Sequence, residues 1–451
     1  MLHRVLPFAA LAILCSAAAC SSPSEEEAAP AATAGQDVVS TLPNQTDWAK
    51  NTNWSYEKNF VGLPHAWVYT PKSFSKKAPG KRAVVFHLPG CGELAYQVAQ
   101  GSGWPQVAED NGYVIVVPEV IDPVYPNAAA PHVACYDFGL YTLPTRYRTD
   151  HAALIKAGAD IVKKKPSLQI DPRQVYVTGL SAGGTVAMQV ACMAPDVFAG
   201  VGLVAAPSMG TFQAMAVMPP AWGSSMVAWG CNAYAQEADS GDGEEQVKKQ
   251  VYAIASDDNG LPPGIPILEW GVWTATKFAD QDYWDGDKYT PFAHHRIIAD
   301  AMASIFDAKM VAEDKAMPGL TGMGDGCEGG EKSHDDTDDV SCNVSAYKKR
   351  PWQVKADIWK DKAGLTRVIH LKQDTLRHRW PAGPMGPMDH PVTPGFPELV
   401  AQGYMDAHAQ VNEIKAAGAP SGSFGVGFFG NDTFSYPKFL VEYLAANNPR
   451  L

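Results

Sequence analysis

Residues 175–195 read "VYVTGLSAGGTVAMQVACMAP", and the folding of this stretch decides the architecture of the chain. Val175 to Val177 belong to an apolar run of strand type, while Ala187, Val190 and Ala191 fall at helical spacing. Between them, Ser181 is surrounded by Gly179, Gly183 and Gly184. Neither a strand nor a helix asks for three glycines around one hydroxyl. A sharp strand-to-helix turn does, because its backbone bends tightly and passes close to its neighbours. "GLSAG" fits G-x-S-x-G, the pattern that lifts a serine above a sheet as a nucleophile. The string alone recurs by chance, but between an apolar strand and an apolar helix it points to nucleophilic chemistry. The amide of Ala182 then lies in the first helical turn. There, N–H groups lack an intrahelical partner and can donate to a developing oxyanion.

Working outward, strand and helix alternate from about residue 55. "HAWVYTP" (65–71), "RAVVFHLPG" (82–90) and "YVIVVPEV" (113–120) read as strands. "DHAALIKAGADIVKKK" (150–165) is an amphipathic helix with lysines in its last turn, where they favour the helix dipole. "AGVGLVAAP" (199–207) is a further short strand. Such alternation with near-continuous apolar strands predicts an α/β fold, a mostly parallel sheet with helices on both faces. Residues 209–245 are less regular, and "MAVMPPAWGSSMVAWGC" (215–231) reads as a lid over a pocket or as a buried connection. The expected organisation is a signal peptide over 1–20, a tether over 21–50 and a catalytic domain over 51–451. Insertions are expected at about 209–262 and 309–350.

The first twenty residues, "MLHRVLPFAALAILCSAAAC", have a basic start, a short apolar run and small residues before Cys20. This resembles a bacterial lipoprotein signal, with Ala17 where leucine is usual. Lipidation of Cys20 would attach the chain to a membrane, and ordinary cleavage would release it. Either reading implies export. "SSPSEEEAAPAATAGQ" (21–36) has no means of burying a core.

At 451 residues, 46% hydrophobic and 19% charged, the chain reads as globular. A net charge of -12 argues against nucleic acid as a partner. Of the eight cysteines, six follow the leader: Cys91, Cys135, Cys192, Cys231, Cys327 and Cys342. An even number outside the cytosol suggests disulfides. With no C-x-x-C pair, a metal site is not expected. Order and proximity suggest Cys192–Cys231 and Cys327–Cys342. The acidic stretch between the latter two lacks the ligand spacing of a helix-loop-helix calcium site and reads as a solvated loop.

A second oxyanion donor is sought after an earlier strand. "VVFHLPGCGE" (84–93) supplies a glycine-bearing turn there, and the amide of Cys91 is the candidate. At this point the sequence resembles a known family. "LPGCGE" (88–93), "GWPQVAEDNGYVIVVPE" (103–119), "ACYDFG" (134–139) and the segment 170–207 follow the order seen in poly(3-hydroxybutyrate) depolymerase family esterases. The resemblance covers roughly residues 80–210 and returns near residue 378. It implies an α/β-hydrolase fold with an inserted cap, ester hydrolysis through Ser, Asp and His, Ser181 as nucleophile and Cys91 in the oxyanion turn. It also implies a Cys91–Cys135 disulfide. Pro89 replaces the family's usual histidine, and "CYDF" replaces a tryptophan-rich stretch; both line the site in relatives, so the resemblance leaves polymer specificity open.

In these hydrolases the base is a late histidine. "HRWPAG" (378–383) follows a strand and resembles the family's "HAWPGG", which selects His378. His370 lies within that strand and reads as a packed residue. His390 and His408 lack this context, and His294 and His295 read as the solvated start of a helix. For the acid, "DGEEQVKKQVYAIASDDNG" (242–260) carries a helix signature, with Asp242 and Glu245 as a capping box. The next strand is therefore sought in "IPILEWGVWTATKFADQD" (265–282). Asp280 is preferred as the acid, then Asp282, then Asp257.

The chemistry calls for no metal or organic cofactor. The expected partner is a short-chain polyhydroxyalkanoate or its oligomers. Feruloyl or acetyl esters of carbohydrate are the alternative, because no separate polymer-gripping module is recognisable. A non-catalytic surface lipoprotein with the same fold is the reading from a different class.

Overall fold

The computed structural model describes residues 53–72, 82–91, 93, 95–122, 135–139, 144–211, 223–257, 290, 292–327, 347–373, 376, 378, 380–382, 429–430 and 433–451. Its frame is a ten-stranded sheet in the order β1-β2-β4-β3-β5-β6-β7-β10-β9-β8. The strands are β1 (Trp54–Phe60), β2 (Leu63–Tyr69), β3 (Arg82–Leu88), β4 (Val114–Pro118), β5 (Ile170–Leu180), β6 (Gly200–Val204), β7 (Val251–Asp257), β8 (Lys309–Cys327), β9 (Tyr347–Lys360) and β10 (Thr366–Gln373). From β4 to β10 every neighbour pair is parallel. The flanking pairs β1–β2, β2–β4, β10–β9 and β9–β8 are antiparallel. A short parallel pair, β11 (Trp380–Pro381) with β12 (Phe429–Gly430), stands apart from the main sheet.

The helices are α1 (Ala95–Gly101), α2 (Trp104–Asn111), α3 (Thr149–Lys164), α4 (Ser181–Met193), α5 (Ser224–Gln236), α6 (Gly243–Val247), α7 (Phe292–Ile305) and α8 (Tyr436–Asn447). Period-two side chains divide the core into two layers. Val84, Phe86, Leu88, Val175 and Val177 enter one cluster, with Leu154 of α3, Val186 of α4 and Ile298 of α7. Ala83, Val85, Ile115 and Tyr176 enter the other, with Val98 of α1, Trp104 of α2 and Leu440 of α8. Helices cover both faces of a sheet whose central strands are all parallel. This is the α/β-hydrolase fold that the sequence led us to expect.

Two expectations need correction. The helix read over residues 242–259 ends early: α6 stops at Val247, and Val251–Asp257 is a strand between β6 and β10. The capping box does not form, because the Asp242 side chain accepts from Gln246 Nε2 (2.7 Å) instead of from a helical amide. Part of the supposed insertion 209–262 is therefore a central strand. His294 and His295 are not solvated; both are fully buried on α7. His294 Nδ1 accepts from the Ser208 amide (3.1 Å) and lies 3.0 Å from its hydroxyl. Packing of α7 against the sheet, which its first turn alone does not reveal, accounts for the burial.

Residues 309–327 and 347–360 form a long antiparallel extension of the sheet through β8 and β9. The signal and tether segments, the strand expected at 265–282, Cys342, His390 and His408 lie outside the described residues.

Candidate active site

Ser181 follows β5 directly and opens α4. It is half-buried, and its φ of 52° places a residue with a Cβ in the left-handed region. Such strain persists only where the surroundings over-determine it. The surroundings here are glycines. A Cβ on Gly183 would lie 2.3 Å from the Leu88 carbonyl oxygen and 2.4 Å from that of Pro89. One on Gly179 would lie 2.5 Å from the Gly183 carbonyl carbon. The turn after β3 thus rests on the first turn of α4. The Ala182 amide belongs to that first turn, where helical N–H groups are free of intrahelical bonds.

The turn after β3 is closed twice. The Glu93 amide donates to the Gly90 carbonyl (3.2 Å), and the Gly90 amide donates to Glu93 Oε2 (2.6 Å). Half-buried Cys91 lies inside this loop and is bridged to Cys135. The disulfide implied by the family resemblance is thus present, as is Cys192–Cys231, which ties α4 to α5. Cys327–Cys342 involves a residue outside the described set. Glu93 is buried, and burial pushes its carboxyl up to about 7, against the lowering effects of the Gly90 amide and of His378.

His378 follows β10, four strands from β3 in the sheet order. At strand spacing that is roughly 19 Å of sheet edge. A turn closed by the Leu376 amide on the Gln373 carbonyl (3.1 Å) redirects the chain after β10. Beyond it, Trp380 Nε1 donates to the Ser102 carbonyl between α1 and α2 (3.0 Å). The His378 imidazole is near enough to Glu93 for their charges to interact. Residues of the loop after β10 are thus tied to the β3 side of the sheet, His378 through Glu93 and Trp380 through Ser102.

Trp380 anchors the loop. Its buried ring lies 4.1 Å, centroid to centroid, from His87 and 5.2 Å from Tyr436. Burial lowers His87 to about 3, so the ring is neutral and its Nδ1 accepts from Trp104 Nε1 (2.7 Å). Gly103, at φ +74°, lets Ala382 pass so close that a Cβ would lie 2.5 Å from the Ala382 carbonyl oxygen. Gly103→Ala is expected to displace the His378 loop and lower kcat about 10-fold or more. A misplacement of about 1 Å can cost 10²-fold in rate. Steady-state kinetics beside a thermal melt checks this, and a loss confined to stability would contradict it.

Asp257 ends β7, buried, with its backbone in register with Gln373 of β10. Two strand spacings, about 10 Å, separate the ends of β5 and β7. Ser181, Asp257 and the His378 loop thus emerge from one carboxyl edge, where parallel sheets place their ligands. Asp280 and Asp282 lie outside the described residues. His370, packed in β10 as the sequence suggested, lies 2.7 Å from Ser256 Oγ through Nε2. Burial holds it well below the usual histidine range.

Glu93 and Trp380 went unassigned in the sequence reading. An acid three residues after the glycine of a tight turn was a usable signal for the first. The tryptophan of "HRWPAG" was one for the second.

Residues 68–234 match the family described as Esterase PHB depolymerase. The likeness read from the sequence holds over that span. A poly(3-hydroxybutyrate) depolymerase of Ralstonia pickettii is 33% identical over 195 residues, 42% of this chain and 38% of the relative. A probable acetylxylan esterase A of Aspergillus flavus is 26% identical over 161 residues, 35% of this chain and 47% of the relative. The chain thus spans less than half the length of these curated relatives. Among solved structures, the acetyl xylan esterase from Aspergillus awamori covers 71% of this chain and 91% of its own, at 12% identity and a TM-score of 0.43.

Proposed function

We propose that the chain is an exported serine esterase cleaving short-chain polyhydroxyalkanoate, poly(3-hydroxybutyrate) above all, or its oligomers. The observation that carries this reading is Ser181 held at a φ of 52° on a glycine-lined elbow between β5 and α4. In the proposed reaction, His378 takes the Ser181 hydroxyl proton as Oγ bonds to the ester carbonyl carbon. The carbonyl oxygen becomes an oxyanion held by the amides of Ala182 and Cys91. The imidazolium gives its proton to the departing hydroxyl as the ester C–O bond breaks. Water then attacks the acyl carbon, losing its proton to His378, and the bond to Ser181 Oγ breaks as the imidazolium returns that proton to the serine. We assign the acid that orients the imidazole to Asp257, because a strand, not a helix, delivers it to the shared edge. Two disulfides support an oxidising compartment, which agrees with export.

The acetylxylan esterase likeness favours an acetyl ester of carbohydrate as the second reading. The test is hydrolysis of 3-hydroxybutyrate oligomers beside acetylated xylan and feruloyl sugar esters. We expect kcat/KM for the oligomers to exceed the others at least 10-fold. Preference for acetylated xylan selects the second reading. Turnover of none of them selects the non-catalytic surface protein.

A further inference from the structure

The site contains a second buried carboxylate besides the acid of the triad. We propose that Glu93 is a positioning residue of the hydrolytic site, closing the oxyanion turn through Gly90 and acting through its charge on His378. The inference rests on the esterase reading and deepens it. Its geometric basis is reciprocal. Glu93 gives its amide to the Gly90 carbonyl and takes the Gly90 amide with its own Oε2 (3.2 and 2.6 Å). This arrangement has the logic of a capping box closed upon a turn. It withdraws the Gly90 N–H from the site and leaves Cys91, pinned by its disulfide, at the crest of the turn. The room is tight. A Cβ on Gly90 would meet Glu93 Oε2 at 3.2 Å and the Leu180 carbonyl oxygen at 3.3 Å, just before Ser181. Gly90 is thus hemmed in by the carboxylate on one hand and the end of β5 on the other.

Its other oxygen, Oε1, is buried with no hydrogen-bond partner among the described residues. A buried, unpaired carboxylate oxygen is costly, and a positive charge forming nearby lowers that cost. The charged group that acts on Glu93 is His378 from the loop after β10. Cys91 and Cys135, bridged, do not titrate. On the imidazole itself act Glu93 from the turn and, in our assignment, Asp257 from β7. When His378 takes the serine proton, the charge of Glu93 adds to that of the assigned acid in favouring the imidazolium. Burial raises Glu93 to about 7, so its charge forms in the pH range where a histidine base acts, and the acidic limb of the rate profile is expected to report on both groups.

The signs follow. Ionised Glu93 raises the affinity of His378 for its proton, so removing the charge lowers it. Glu93→Gln keeps an oxygen acceptor for Gly90 and removes only the charge. We expect the acidic limb of its kcat/KM profile to move to lower pH by about half a unit or more. The same displacement is expected in the His378 imidazole titration, followed by NMR in a Ser181→Ala background. Glu93→Ala also releases the turn, and kcat is expected to fall about 10- to 100-fold with KM nearly constant. That loss approaches the effect of losing one oxyanion donor. A Gln variant whose acidic limb and imidazole titration superpose on the wild type overturns the proposal. So does an Ala variant that keeps its kcat. If the wild-type protein itself hydrolyses no ester, the underlying reading falls and the proposal with it. An active wild type beside an unshifted Gln variant overturns the proposal alone.

Discussion

Ser181→Ala is expected to lower ester hydrolysis about 10⁴-fold or more and to abolish covalent labelling by a fluorophosphonate. Loss of the nucleophile removes the acyl-enzyme route outright, leaving only the residual acceleration that binding and the oxyanion donors provide. Alanine keeps the Cβ, so the variant retains the backbone that gives Ser181 its φ of 52°. The fold is expected to survive, because the glycines at 179 and 183 that accommodate the turn are untouched. A thermal melt close to wild type beside lost labelling separates a chemical defect from a structural one. Undiminished labelling of the variant would move the nucleophile elsewhere. Failure to label the folded wild type would return the chain to the class of binding proteins.

The elbow was legible because its chemistry is local. Strand, serine, glycines and helix adjoin in sequence, and each glycine answers a contact only a few residues or one strand away. The central strands were legible for a related reason. Val114–Pro118 and Gly200–Val204 are buried on both faces and so read as continuous apolar runs. His378 could be selected only through likeness to a family, since nothing within "HRWPAG" shows that its tryptophan is received by Ser102, His87 and Tyr436. Those contacts join residues far apart in sequence, Ser102 by 278 positions. Glu93 escaped notice because one carboxylate in a glycine turn looks like a solvated side chain until its burial is known.

Residues 251–257 misled for a physical reason that bears on the largest remaining prediction. "VYAIASD" is too short and too uniformly apolar to show either period, and the capping signals just upstream favoured a helix. Neighbouring strands decide the outcome. Val251 to Ala255 lie in register with Gly200 to Val204 on one side, and Tyr252 to Asp257 with Val368 to Gln373 on the other. Sheet pairing on both sides overrides a helical preference that α6 expresses for barely more than one turn.

Asp257 consequently stands at the carboxyl edge, and Asp257→Asn is expected to lower kcat about 10³- to 10⁴-fold. The substitution keeps size and burial but presents an amide to the imidazole, which disfavours the tautomer able to accept the serine proton and removes the counter-charge that orients the imidazolium, leaving only that of Glu93. Asp280→Asn and Asp282→Asn, made side by side, are expected to stay within a few-fold of wild type. The informative quantity is the contrast among the three. A collapse of activity in Asp280→Asn with Asp257→Asn near wild type would assign the acid to a segment beyond β7 and would leave the burial of Asp257 a matter of packing. The opposite result fixes Ser181, Asp257 and His378 on one edge of the sheet. The turn carrying Cys91 and Glu93 then forms the far wall of the site.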